Sequence, residues 1–197
     1  MTKNPLKEKL KHKKIILGSG SPRRKMFLED LGLDFEVRPK SVEEIYPETL
    51  QGQEISEYLA ELKATPFKNE LGPDQIVITS DTVVWHNNTS LAKAADKMEA
   101  FKMLRTLSGD WHEVITSVCF TTIDAQKTVS CITKVKLKDF SDDEINYYID
   151  SCQPFDKAGA YGIQEWIGMI GISEIQGSYT NVVGLPTHLV YKTLMEL

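Results

Sequence analysis

The stretch Gln75–Asn88, "QIVITSDTVVWHNN", constrains the fold more than any other. It opens on a continuous apolar run, the pattern of a strand buried on both faces, and ends on an Asn pair suited to a turn. Strand and helix patterns interleave around it. "KKIILG" reads as a first strand and Arg23 to Leu31 as a short helix ending at Gly32. "DFEVRP" reads as a second strand stopped by Pro39, followed by a polar connection, "SVEEIYPETLQGQ". Ile55, Tyr58, Leu59 and Leu62 then recur at helical spacing, in a helix that Pro66 disturbs. Asp96 with Glu99, and Ser141 with Glu144, are capping pairs that predict two further helices, the first running to Leu107 and closed by Ser108-Gly109. "HEVITSVCFTTI" and "TVSCITKVKLKDF" alternate apolar and polar residues, predicting two long antiparallel strands, and "THLVYKTLMEL" reads as a closing helix. The sum is one α/β domain over residues 14–197 with a mixed sheet, preceded by a basic extension over residues 1–13. Long antiparallel strands in such a sheet often bend or split it into two lobes, which leaves a cleft.

Composition excludes several classes. The 197 residues are 41% hydrophobic and 26% charged, ordinary for a chain with a real core. A net charge of -5 argues against a broad nucleic-acid footprint, which needs a basic surface, but leaves room for a local basic pocket. Cys119, Cys131 and Cys152 are widely spaced, without a CxxC pair or a His at zinc spacing. They read as reduced thiols of an intracellular, cytoplasmic protein, and not as a disulfide or zinc framework. The start, "MTKNPLKEKLKHKK", has no apolar run before Ile15, so it lacks the character of a signal peptide. It reads as a solvated extension. No segment approaches the length of a membrane span.

Two short stretches carry chemistry. In "SGSPRR", Ser19 and Ser21 are candidate helix N-caps and Pro22 suits the first helical position. Arg23 and Arg24 then stand where the helix dipole disfavours cations. A multiply charged anion at the loop would explain them, since guanidinium binds phosphate bidentately. Simple solvation of both arginines explains them equally well. In "ITSDTVV", Asp81 ends a buried apolar run and needs a partner. A structural hydrogen bond, a metal ligand and a general base are all open readings for it. The acidic pair Glu43-Glu44 and the single lysines Lys63 and Lys93 would pass for solvated charges. "PFDKAGAYGIQEW" and "GSYTNVVGLP" are rich in small residues and read as loops whose backbone can approach a ligand closely.

Taken together, these segments resemble the Maf family of nucleoside triphosphate pyrophosphatases. "SGSPRR", "SDTVV", "LSGDWHEVITSV", "DKAGAYGIQ" and "GSYTNVVGLP" match the family's blocks in order, from Ile15 to about Leu194. The resemblance implies a mixed sheet bent between two lobes around a deep nucleotide-binding cleft, like that of inosine triphosphate pyrophosphatases. It implies metal-dependent hydrolysis of a nucleoside triphosphate to the monophosphate and pyrophosphate, with Mg²⁺ or Mn²⁺ as cofactor. Ser19, Arg23 and Arg24 match the phosphate-binding loop, Glu44 the acid that follows the second strand, and Lys63 the lysine of the "LAxxKA" helix. Asp81 matches the acid taken as general base, and Glu44 with Asp81 can hold the divalent cation, since hard ions suit carboxylates. Lys93 matches the lysine of the family's "GKP" segment, here "LAKA", and Gly18 and Ser80 stand where the family often has Ala. Arg23, Thr82 and Gln164 match the branch acting on dTTP and UTP, and modified pyrimidine nucleotides are a variant of that reading. The resemblance implies a small-molecule nucleotide as partner, no nucleic acid, no membrane, and a homodimer. The competing expectation is a non-catalytic nucleotide-binding regulator of cell division. The charged positions favour the enzyme, because binding alone does not require Asp81 to face a phosphate.

Overall fold

A computed structural model describes residues 3–197 of the chain. A seven-stranded mixed sheet organises it: β1 (Lys14–Leu17), β2 (Phe35–Val37), β3 (Gln75–His86), β4 (Thr89–Leu91), β5 (Trp111–Thr121), β6 (Gln126–Leu137) and β7 (Ile172–Gln176). The order is β2-β1-β3-β5-β6-β7, with β4 pairing β3 off this path. β1 is parallel to both β2 and β3, and every other pairing is antiparallel. The two long strands foreseen around "HEVITSVCFTTI" pair over their full length, from Trp111 opposite Lys136 to Thr121 opposite Gln126. Their surroundings differ from the alternating pattern, however. β5 is buried on both faces from Val114 to Thr121, because helix packs on one side and the main core on the other.

Eight helices surround the sheet among the described residues: α1 (Pro5–Lys9), α2 (Pro22–Asp30), α3 (Gln53–Ala64), α4 (Lys97–Leu107), α5 (Asp142–Cys152), α6 (Trp166–Gly171), α7 (Tyr179–Val183) and α8 (Thr187–Glu196). Pro66 ends α3 in a one-turn 3₁₀ helix, Thr65–Phe67, since proline cannot supply the next helical N–H. The capping pairs behave as their chemistry requires. Ser141 and Glu144 cap each other's backbone at α5. At α4 the Asp96 side chain accepts from the Glu99 N–H, while the Glu99 carboxylate reaches Ala95. Asn87 and Asn88 have φ of 48° and 59°, the left-handed pair that a tight β3–β4 turn needs and that Asn tolerates.

Side chains alternate across β1 and β3 with the period of a strand. Ile15, Leu17, Ile76 and Ile78 join the main core with Leu28, Leu104, Leu107, Tyr148 and Val190. Ile16 and Val77 point the other way, onto Phe67 and Leu71. On α3, Ile55 and Leu59 pack against Val83, and Ala60 with Ala64 lies against Cys119.

Two readings are corrected here. The first residues are not wholly solvated: Asn4 caps α1, and Leu6 and Leu10 are buried in the main core. Two apolar residues four apart on an otherwise basic helix are enough for it to lay one face on the domain. The segments read as loops also contain the short helix α7 and a 3₁₀ turn at Pro154–Asp156, and between them lie α6 and β7, which no periodic pattern announced. No helix among the described residues is long and apolar enough to cross a membrane.

Candidate active site

The site forms where β3 changes partners. On one edge β3 pairs with β1 over Gln75–Ile78 and with β4 over Val84–His86, while β5 runs along the other edge from Val77 to Trp85. Residues 79–83 therefore face no strand on the first edge. A crevice opens where neighbouring connections diverge, the usual place for a ligand in a sheet with parallel strands. The backbone groups bared there must find other partners. The Ile78 carbonyl accepts from Gly18 N at 2.9 Å, and the next carbonyl on that edge, that of Ser80, accepts from Arg24 Nη1 at 2.7 Å.

Arg24 is thus a closing element of the fold. Its Nε donates to the Gly184 carbonyl at 3.0 Å, Nη2 to Thr82 Oγ1 at 3.2 Å, and Nη1 also reaches Ser19 Oγ at 3.4 Å. Four of the roughly five guanidinium donors are engaged by protein acceptors. Burial lowers the Arg24 pKa, and the nearby Asp81 carboxylate opposes that shift. Thr82 is drawn into the same arrangement. Its Oγ lies 3.0 Å from Thr116 Oγ1, which itself donates to the Asn181 carbonyl, so Thr82 donates to Thr116 and accepts from Arg24. Ser21, not Ser19, is the N-cap of α2, accepting from Arg24 N at 3.4 Å, with Pro22 in the first turn. Ser19 Oγ instead accepts from Ser21 N at 3.2 Å and shapes the loop.

Asp81, Glu44 and Lys63 come together across the crevice. Lys63, in the last turn of α3, donates to Asp81 Oδ1 at 2.6 Å and lies 3.0 Å from Glu44 Oε2. Asp81 and Lys63 side chains are only 10% and 17% exposed. A pair this sheltered gains little net stability, because desolvation offsets the attraction. Its presence points to chemistry more than to folding. Asp81 Oδ2 makes no hydrogen bond among the described residues.

The remaining cations are differently placed. Arg23 Nη1 pairs with Asp156 Oδ2 at 3.1 Å. Lys93 is exposed, and its ammonium makes no ion pair among the described residues. Its backbone forms a β-bridge with Ala158, and Gly159 N donates to the carbonyls of Leu91 and Ala92. Gln164 is exposed to the cleft with no side-chain hydrogen bond among the described residues. The cleft holds about 590 Å³ and includes Asp81, Thr82, Tyr161 and Gln164 in its wall. A neighbouring cavity of about 410 Å³ is lined by the Gly18–Arg24 loop, Lys40 and Ser41. Arg23, Glu44, Lys63 and Lys93 line both, so these charges stand at the junction of the two spaces.

Metal ligation can be weighed from the donors. No group of three or more His, Cys, Asp or Glu is poised to hold an ion among the described residues. Glu44 and Asp81 are two hard oxygen donors already converging on one cation, the Lys63 ammonium. Mg²⁺ is commonly held by one or two carboxylates with substrate phosphates completing its shell, and this donor set suits that mode.

Sequence reasoning passed over Asp156, Lys157 and Tyr161, although all three lie within quoted segments. Tyr161 is buried against the cleft, and its hydroxyl lies 2.7 Å from His112 Nε2. Burial pushes the His112 pKa down to about 4, with the neighbouring His86 acting in the same sense and Asp110 against it. His112 is then neutral when folded and protonates in the unfolded chain as pH falls below its ordinary value near 6.5. Stability should drop from roughly pH 6.5 to pH 4 by up to about 3 kcal/mol from this residue. The unfolding free energy of wild type minus that of His112→Gln, measured by denaturant titration, should shrink over that window. A constant difference would show that His112 does not titrate in this way.

The three thiols are free, with Cys119 buried and Cys131 and Cys152 half-buried. Burial raises the Cys119 and Cys131 pKa values, which suits inert thiols.

Residues 14–197 match the model of the family described as "Maf-like protein". A dTTP/UTP pyrophosphatase of Flavobacterium johnsoniae is 56% identical over 192 residues, covering 98% of this chain and 99% of that protein. One from Bacteroides fragilis is 48% identical over 185 residues, covering 93% and 96%. Among solved structures, the Staphylococcus aureus Ham1 protein superposes with a TM-score of 0.50 at 17% identity, over 93% of this chain and 99% of that one, a likeness of fold.

Proposed function

The chain belongs to the Maf family, and from that membership we propose that it is a nucleoside triphosphate pyrophosphatase hydrolysing dTTP and UTP to the monophosphate and pyrophosphate. The observation that carries this reading is the meeting of Asp81, in the wall of the larger cavity, with Glu44 and Lys63, which line both cavities. The larger space suits a nucleoside and the smaller, cation-rich one a polyphosphate.

Hydrolysis at the α-phosphorus needs in-line positioning and neutralisation of charge more than covalent help. Arg23 and Lys93, together with Lys63, are placed to neutralise the polyphosphate. Arg24 holds the loop that presents Arg23 and adds its fixed charge from beneath. Asp81, with Oδ1 on Lys63, is left with Oδ2 to accept a proton from water. The water's oxygen bonds to the α-phosphorus as the bridging P–O bond breaks, and the bond's electron pair leaves with pyrophosphate. Glu44 and Asp81 are the residues that would hold a divalent cation, which would supply further charge neutralisation when bound with the triphosphate. Gln164 offers a donor and an acceptor to the base. A uracil or thymine edge presents carbonyl acceptors around a ring N–H, so one amide can pair with it twice. Cytosine presents a different pattern.

Pyrophosphate release measured over dTTP, UTP, CTP and purine triphosphates tests the reading. The expected result is a preference for dTTP and UTP that chelator abolishes and Mg²⁺ or Mn²⁺ restores. Release from none of these nucleotides, despite binding, would favour a nucleotide-sensing regulator. Undiminished turnover in chelator would remove the cation from the scheme.

A further inference from the structure

The loop that carries Gln164 is held in an unfavourable shape. Gly159 and Ala160 have φ of 66° and 53°, and the left-handed region is costly for Ala. At Gly162 an added Cβ would stand 2.8 Å from the Glu165 carboxyl carbon and 3.0 Å from Lys157 Cε. Such a conformation persists only where surrounding contacts over-determine it: backbone bonds to Leu91, Ala92 and Lys157 hold Gly159 and Ala160, and one carboxylate holds the turn that follows. Glu165 Oε2 accepts from the Tyr148 hydroxyl, and Oε1 lies 2.8 Å from Lys157 Nζ. Tyr148 OH in turn accepts from Gly162 N at 3.0 Å. Lys157, only 12% exposed, also meets Asp156 at 2.6 Å, and Asp156 meets Arg23. A fully buried tyrosine and a sheltered lysine thus grip the residue next to Gln164.

We propose that Glu165, clasped by Tyr148 and Lys157, is a positioning residue that sets where Gln164 meets the base, and so contributes to pyrimidine selectivity. The inference rests on the reading of Gln164 as the base-contacting residue. The clasp acts on the Gly162–Glu165 turn from behind, where Glu165 N also donates to the Gly162 carbonyl. Without the clasp the Gly162–Glu165 turn keeps only its own backbone hydrogen bond, and the amide loses its fixed aim. The chain Arg23–Asp156–Lys157–Glu165 also ties the presenting turn to the phosphate-side arginine.

The experiment measures kcat/KM for dTTP and CTP in wild type, Glu165→Gln, Tyr148→Phe and Gln164→Ala. Glu165→Gln keeps the side chain's size but leaves one acceptor oxygen for two donors. The dTTP-to-CTP ratio should fall roughly tenfold, the scale of one misplaced or lost charge-assisted hydrogen bond, mainly through KM for dTTP. Tyr148→Phe, which removes the other half of the clasp, should shift the ratio in the same direction. If both variants lose thermal stability but keep the wild-type ratio while Gln164→Ala changes it, the clasp is only structural and the inference is overturned. If Gln164→Ala itself leaves the ratio unchanged, the base-reading role of Gln164 fails and the inference falls with it.

Discussion

Asp81→Asn is expected to lower kcat by about 10³-fold, within the 10²–10⁴ range typical for loss of a general base, while the protein stays folded. Asn has the same shape and can still accept from Lys63 through its amide oxygen, so the 2.6 Å contact has a neutral successor. What disappears is the negative charge that the proposed mechanism uses to take the proton from water, and that shares the Lys63 ammonium with Glu44. Removing one partner of a sheltered ion pair leaves the other charged and poorly compensated, but Lys63 keeps Glu44 at 3.0 Å. Steady-state pyrophosphate release on dTTP, beside a thermal melt, separates chemistry from folding. A variant that turns over at the wild-type rate would dismiss Asp81 as the base. A variant that is inactive because it has unfolded would show the charge to be structural.

Arg23→Ala should lower kcat/KM for dTTP by about 10²-fold, the scale of one charge-assisted contact to a desolvated phosphate. Stability should change little, because the Arg23 side chain is 31% exposed and its partner Asp156 is 60% exposed. Arg24→Ala should behave oppositely. It strips donors from the carbonyls of Ser80 and Gly184 and from Thr82, so its melting temperature should fall sharply. Such results would show two adjacent arginines in one helical turn to differ in kind, one held for the ligand and the other for the fold. Equal effects of the two substitutions on stability would erase that distinction.

The comparison of sequence with structure turns on the same arginines. Both stand in a first helical turn where the dipole disfavours them, and that much is plain from "SPRR". Which of them faces solvent was not. The difference arises because β3 loses its neighbour between Ile78 and Val84, and the bared Ser80 carbonyl captures Arg24. A strand's change of partner is a long-range event with no local pattern. The burial of Leu6 and Leu10 escaped a reading of the chain start for a related reason: lysines dominate the composition there, but two apolar residues decide the packing.

From the sequence alone came the strand-and-helix order, the mixed sheet, the two capping pairs and the family. These depend on hydrophobic period, side-chain capping chemistry and short motifs, all of which are local. Charge converging from Glu44, Lys63, Asp81 and Lys93, by contrast, was carried only by resemblance. Those residues lie on a loop, a helix, a strand and a second loop, as far apart as 49 positions in the chain. Only the tertiary structure decided that Lys63 bridges two carboxylates, that Arg24 belongs to the scaffold, and that Glu165 clasps the turn behind Gln164. Ion pairs and orphan carbonyls are settled by what the folded chain brings within 3 Å, and no periodicity encodes that distance.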